Sequence, residues 1–381
     1  MKITKDGNWD DDSFSSKASG KAGSWAGTVW MSVLAIVIAV LRIHYCTVLP
    51  VNTGDITRHI YTGLVVLKHG LASAGQPLVS SFPGAAGVAW AGMPYNYPIF
   101  ALTFFTALAA IMPTIFFAKL SLTAVEAVNA TLVVRITGRR WVGLLYWAMP
   151  ASIWWVSHEG QFEPLQAFFS LAAMAVFASS PMWSGILLAF AIQTKVSALL
   201  LIPLFLWRSW HRGSLKQWFG GLVIGIVPTF LAQTQFKAVK TGFFTGRRVL
   251  FYNPYYWNPW DQISRAWHPE WLVVWVQIAT YGAIVALILA VYRTRKPIDF
   301  LAPFTFLAAC KAAVQAQFWY MILLPSFLVP VRHRRIRAIA LVAIIALEPV
   351  SAVQIVSGPF GYTVGDYYGT TTPFTKLAVP D

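Results

Sequence analysis

The chain has 381 residues, of which 57% are hydrophobic and 11% charged, with 18 tryptophans and a formal net charge of +15. A soluble domain carries roughly 25% charged residues, so this composition excludes a water-soluble enzyme and describes an all-α polytopic membrane protein. The cysteines, Cys46 and Cys310, lie in or beside apolar runs, which offers neither a disulfide framework nor a zinc site.

Residues 1–24 are polar, with Asp10-Asp11-Asp12 and scattered Ser, Lys and Gly, and read as a disordered tail. Residues 25–49 are long enough to span a bilayer, and with no small-residue cleavage site after them they read as an anchor. A polar stretch, 51–97, follows. Within it Ile60, Tyr61, Leu64 and Leu67 recur at helical spacing, which predicts a helix over 57–69 lying in the membrane interface. Asp55 stands just before that helix, either as its cap or as a base held at the membrane surface. Residues 97–112 are apolar and end at Pro113. Counted as a span they would put Arg135, Arg139 and Arg140 outside, so they are expected to lie along the membrane or dip into it.

Spans two, three and four are expected at 114–136, 141–157 and 164–180. The run 182–207 is too long for one helix and is interrupted at Gln193-Thr194-Lys195, which predicts two short helices meeting at Lys195. Span seven is expected at 218–236, then a polar, aromatic-rich loop at 237–270. Spans eight to eleven are expected at 271–292, 298–313, 318–331 and 338–356, before a tail over 357–381. About eleven transmembrane helices thus form one domain over 25–356.

Most of the 29 basic residues fall in short loops on one side, among them Arg135, Arg139, Arg140, Arg208, Arg212, Lys216, Arg293, Arg332 and Arg335. By the positive-inside rule that side and residues 1–24 are cytoplasmic, and the Asp55 loop and the tail face outward. The net charge is then a topology signal, and a nucleic-acid partner is not implied. Asp55, Glu159, Glu163, Asp261, Glu270, Asp366 and Asp381 gather on the outer side. No period of 20–50 residues recurs and the halves lack matching broken helices, which argues against a transporter.

Several groups could carry chemistry there. His158, Glu159, Gln161 and Glu163 crowd one short turn, where capping two helix ends needs fewer polar groups. A lysine at a helix centre costs about 2.5–3.5 kcal/mol on insertion, so Lys195 requires an anionic partner, water access or a route to the surface. Arg247-Arg248 suit a phosphate or anionic lipid. Phe251, Tyr255, Trp257 and Trp260 suit an interfacial belt or the faces of sugar rings. Lys311, Gln315, Gln317 and Tyr320 could line the same site as Asp55. There is no glycine-rich phosphate loop opening a helix, no H-E-x-x-H and no G-x-S-x-G, so an enzyme of this kind needs a substrate already in the membrane.

Six pieces in order carry a family resemblance: Gly54-Asp55, Tyr95-Asn96-Tyr97-Pro98-Ile99, Gly138-Arg139-Arg140, His158-Glu159-Gly160-Gln161-Phe162, Ala191-Ile192-Gln193-Thr194-Lys195, and the stretch from Gln317-Phe318-Trp319-Tyr320 to Pro325. Together they resemble the GT-C superfamily of membrane glycosyltransferases, within it the polyprenyl-phosphate-mannose-dependent mannosyltransferases. The resemblance covers about residues 29–330 and implies a GT-C fold with interfacial helices in the first outer loop.

It implies an inverting transfer of a sugar, mannose by this likeness, from a polyprenyl-phosphate donor to a glycolipid or glycan acceptor. Asp55 would be the general base, and Lys195, Arg247 and Arg248 would hold the donor phosphate. His59, Tyr95, Tyr97, His158, Glu159, Gln161, Glu163, Gln317 and Tyr320 would contact sugar or acceptor. Many relatives have a second Asp where this chain has Thr57, so no metal or other cofactor is expected. The expected setting is a bacterial inner membrane with the site facing outward, or the endoplasmic reticulum in a eukaryote. Two alternatives stay open: a transporter or flippase of a lipid-linked sugar, and an O-antigen ligase or polymerase, for which Arg247-Arg248 speaks.

Overall fold

The computed structural model describes residues 25–50, 54–88, 91–92, 94–95, 97–234 and 372–379. Spans eight to eleven, the 237–270 loop, Arg247, Arg248, Gln317 and Tyr320 lie outside the described residues. Among the described residues every regular element is helical. The principal helices are α1 Trp25–Cys46, α2 Asp55–His69, α3 Ile99–Ile111, α4 Ile115–Thr137, α5 Arg140–Trp147, α6 Glu163–Val176, α7 Pro181–Thr194, α8 Ile202–His211 and α9 Leu215–Thr234.

Two of the described helices, α1 and α4, are long and apolar enough to cross a membrane. At 1.5 Å per residue the 22 residues of α1 reach about 33 Å, close to the thickness of a bilayer core. Val29, Trp30, Ile36, Val37 and Val40 are exposed along it. α4 opens where Pro113 forbids an earlier turn and Thr114 accepts a hydrogen bond from the Phe117 N–H (3.1 Å). It ends at Gly138, whose φ of +67° suits a glycine cap. The other apolar helices, α3, α6, α7 and the apolar part of α9, are shorter.

Several predicted elements differ, among them the first span, which ends at Cys46 rather than 49, and span seven, which begins at Leu215 rather than 218. The interfacial helix begins two residues earlier, at Asp55. Span four ends at Val176 rather than 180. Span three, expected at 141–157, is broken: α5 stops at Trp147, Pro150–Ser152 make a single turn, and Ile153–His158 wind as a π-helix. Pro150 supplies no N–H to continue α5 and its ring collides with the preceding turn. A break in a helix leaves carbonyls without partners, and Arg42 of α1 answers it. Its Nε and Nη2 both donate to the Trp147 carbonyl, at 3.1 and 2.8 Å. Its guanidinium also lies 4.3 Å from the Trp147 ring centroid and donates to Ser152 and Ser157.

The run 182–207 divides at Lys195 as predicted. α7 ends there with the lysine extended, and a 3-10 turn, Val196–Leu201, leads into α8. α7 packs on α9 through glycines. A Cβ on Gly185 would fall 2.1 Å from the Trp218 carbonyl oxygen, and one on Gly221 would fall 2.0 Å from that of Met182. Small residues that let membrane helices touch backbone to backbone are the usual device where lipid competes for apolar surface. One apolar core joins α6, α7, α8 and α9 around Phe169, Leu188, Phe205 and Trp218. A second joins α2, α3 and α4 to the π-helical turn through Ile56, Ile60, Phe105, Ile115, Trp155 and Phe162.

Candidate active site around Asp55

Asp55 does not cap α2. The cap position belongs to Gly54, in the left-handed conformation at φ +58° and without a side-chain bond, and Asp55 is the first helical residue. Its carboxylate still suits the positive end of the helix dipole. Freed from capping, it turns inward, is only 9% exposed, and accepts a hydrogen bond from Gln161 Nε2 at 3.2 Å. The turn carrying Gln161 can approach because Gly160 has φ +79° and no side chain. A Cβ there would sit 2.9 Å from Ile56 Cβ.

Burial pushes the Asp55 carboxyl above its ordinary range. The Gln161 bond and the positive charges of Arg58 and Lys195 oppose that rise, and the negative charge of Glu163 adds to it. A carboxyl displaced upward in this way is a better proton acceptor than an exposed one.

Glu163 and Lys195 are partners. The Lys195 ammonium donates to Glu163 Oε1 and lies 5.3 Å from the centroid of the Phe162 ring. The anionic partner that a buried lysine demands is therefore Glu163, and the donor-phosphate candidate Lys195 is already paired in this structure. The other Glu163 oxygen, Oε2, is buried with no hydrogen-bond partner among the described residues.

His59 lies one turn along α2 from Asp55 and is enclosed by rings. Phe105 stacks on it at 4.4 Å, while Phe162 and Tyr97 lie at 5.1 Å. Tyr95 hydroxyl and His59 Nδ1 share a hydrogen bond at 3.0 Å. Burial, with Arg58 and Lys195 adding to it, holds the imidazole well below its ordinary value, so it is neutral at pH 7. Burial also drives the Tyr95 phenol upward. His59 Nε2 is likewise buried and unpaired among the described residues. Neutral His59 and neutral Tyr95 are hydrogen-bonding groups, not charge carriers.

The expected quartet at the outer turn divides. Gln161 and Glu163 face Asp55, whereas His158 and Glu159 turn toward the end of α1. His158 Nδ1 meets Glu159 Oε1 at 2.8 Å, stacks on Trp154 at 4.1 Å, and lies edge-on to Tyr45. Beside them Lys119 donates to the Tyr45 and Val48 carbonyls at and just past the end of α1.

A polar chain that sequence reasoning passed over runs beneath this turn. Glu126 accepts from Ser152, from the Tyr146 hydroxyl (2.9 Å) and from Asn129 (3.1 Å), and Ser152 links it to Arg42. Arg42, alone amid the apolar residues of α1, was the signal available for it. Among the described residues no group of three or more His, Cys, Asp or Glu side chains is gathered for a metal ion. Comparison with protein-family models, with curated proteins and with solved structures finds no match.

Proposed function

We propose that this protein is an integral-membrane inverting glycosyltransferase with a GT-C fold. It moves a sugar, mannose by its sequence likeness, from a polyprenyl-phosphate donor to a glycolipid or glycan acceptor at the outer face of a bacterial-type membrane. The observation that carries this is the meeting of Asp55, Gln161, Glu163 and Lys195, brought from three separate segments to one buried place.

The acceptor hydroxyl oxygen attacks the anomeric carbon as the bond from that carbon to the phosphate oxygen breaks. The electron pair leaves with the polyprenyl phosphate, the hydroxyl proton passes to Asp55, and a single displacement inverts the anomeric centre. Gln161 aims the carboxylate. Of the three phosphate candidates Lys195 is the one within the described residues, and it would stabilise the departing phosphate, with Glu163 as its partner. A lipid-borne donor fits a chain that offers no nucleotide-binding loop, because its tail stays in the bilayer throughout.

Proteoliposomes loaded with labelled polyprenyl-phosphate mannose and a membrane glycolipid fraction test this directly. Label should move covalently to acceptor with inverted anomeric configuration. Label that crosses the bilayer still attached to its polyprenyl phosphate would instead make the protein a flippase.

A further inference from the structure

Residues 372–379, far from α2 in sequence, lie against its surroundings. Pro373 offers its carbonyl to the Phe116 N–H at 2.8 Å, filling one of the open donors at the start of α4, and the Leu377 N–H donates to the Pro113 carbonyl at 2.8 Å. Phe374 packs on Phe116 with ring centroids 4.8 Å apart. Leu377, 7% exposed, joins the core that contains Ile56 and Ile60 of α2 together with Phe162. Val379 reaches a separate cluster containing Val65 of α2, with Tyr61 at its border. The segment is therefore fixed by main-chain bonds at α4 and contributes to the two apolar clusters that also hold Ile56, Ile60 and Val65 of α2.

We infer that residues 372–379 form a clamp that positions the Asp55 helix, with Leu377 as its anchor. Leu377 touches no reacting atom and is a positioning residue. It holds the α2–Phe162 core closed, which keeps water from the Asp55 carboxyl and keeps Gln161 aligned on it. A loop lying over α2 would need no such fixed ends, and a purely covering segment would not bury a leucine in the apolar core that holds Ile56, Ile60 and Phe162. The inference uses the proposed role of Asp55, so its test is built to stand without sugar transfer.

A hydrophobic carbodiimide modifies protonated carboxyls in apolar surroundings, and mass spectrometry locates the adduct. Labelling of Asp55 against pH therefore reports its protonation in the intact protein, in the field of Arg58 and His59 on its own helix, Glu163 of α6 and Lys195 after α7. In the wild type the labelling should persist well above the ordinary carboxylate range. Leu377→Ala should admit water and move the curve toward acid, about tenfold less labelling on the neutral side per unit moved. Leu377→Met should keep the wild-type curve, since volume and apolarity are conserved. Transfer measured in parallel should fall in Leu377→Ala with donor affinity kept. An unchanged labelling curve in a folded Leu377→Ala protein overturns the clamp, whether or not Asp55 proves to be the base. Leu377→Asp, if it folds, must move the curve further than Leu377→Ala, and failure to do so counts against the clamp as well.

Discussion

Asp55 and Gly160 divide the work, the first as the proposed base and the second making room for the turn that reaches it. With φ at +79°, an alanine at position 160 costs about 1–2 kcal/mol in backbone strain, and its Cβ would press on Ile56. Gly160→Ala should therefore lower the thermal midpoint and weaken transfer together, as seen by unfolding in detergent and by the transfer assay. Asp55 makes a prediction of its own about pH. Its folded carboxyl is raised by burial, so its contribution to stability is fully present below the unfolded value near 3.9 and is lost as pH rises through the folded value. Asp55→Asn should accordingly match wild-type stability in acid and exceed it at neutral pH. A stability gap that widens toward acid would contradict the buried, raised carboxyl.

The broken third span is the informative case at the scale of elements. Its hydrophobicity reads as one helix over 141–157, and hydrophobicity is blind to the missing N–H of Pro150 and to an arginine waiting on another helix. Arg42 is legible as an oddity in α1, but its partners, the Trp147 carbonyl, Ser152 and Ser157, lie on a segment about a hundred residues away and cannot be read from the sequence. Removing Arg42 strands those groups and the Glu126 carboxylate behind Ser152. Arg42→Leu should cost about 3–5 kcal/mol, the range for breaking a buried ionic network, visible as loss of monodisperse protein on size exclusion. Arg42→Lys should rescue little, since an ammonium cannot reproduce the guanidinium fork on Trp147. By contrast the break at Lys195 was legible, because a lysine interrupting an apolar run has no other economical place. The α7–α9 contact uses Gly221-x-x-x-Gly225, a spacing with a known use between membrane helices that reading 218–236 only as a span leaves unused.

For the whole molecule, the helical character of the described residues and the two helices long enough to cross a membrane follow from composition and apolar run length. The assembly of the site is harder to read, since it depends on which turn meets which helix. His158 and Glu163 stand five positions apart, yet one faces Tyr45 and the other Lys195. The orientation of the molecule is a separate claim with its own test. A single cysteine replacing the exposed Gln76 should react with an impermeant maleimide added outside intact cells and one replacing the exposed Arg139 should not, and the reverse pattern would invert the topology.

In the proposed reaction Asp55 accepts the acceptor's proton. Asn is nearly isosteric, keeps a hydrogen-bonding oxygen for Gln161 and cannot take up a proton. Asp55→Asn should fold and bind donor as the wild type does, while transfer from a synthetic polyprenyl-phosphate sugar falls by about 10²–10⁴. Near-normal turnover in a folded Asp55→Asn protein would contradict it and leave Asp55 a structural residue.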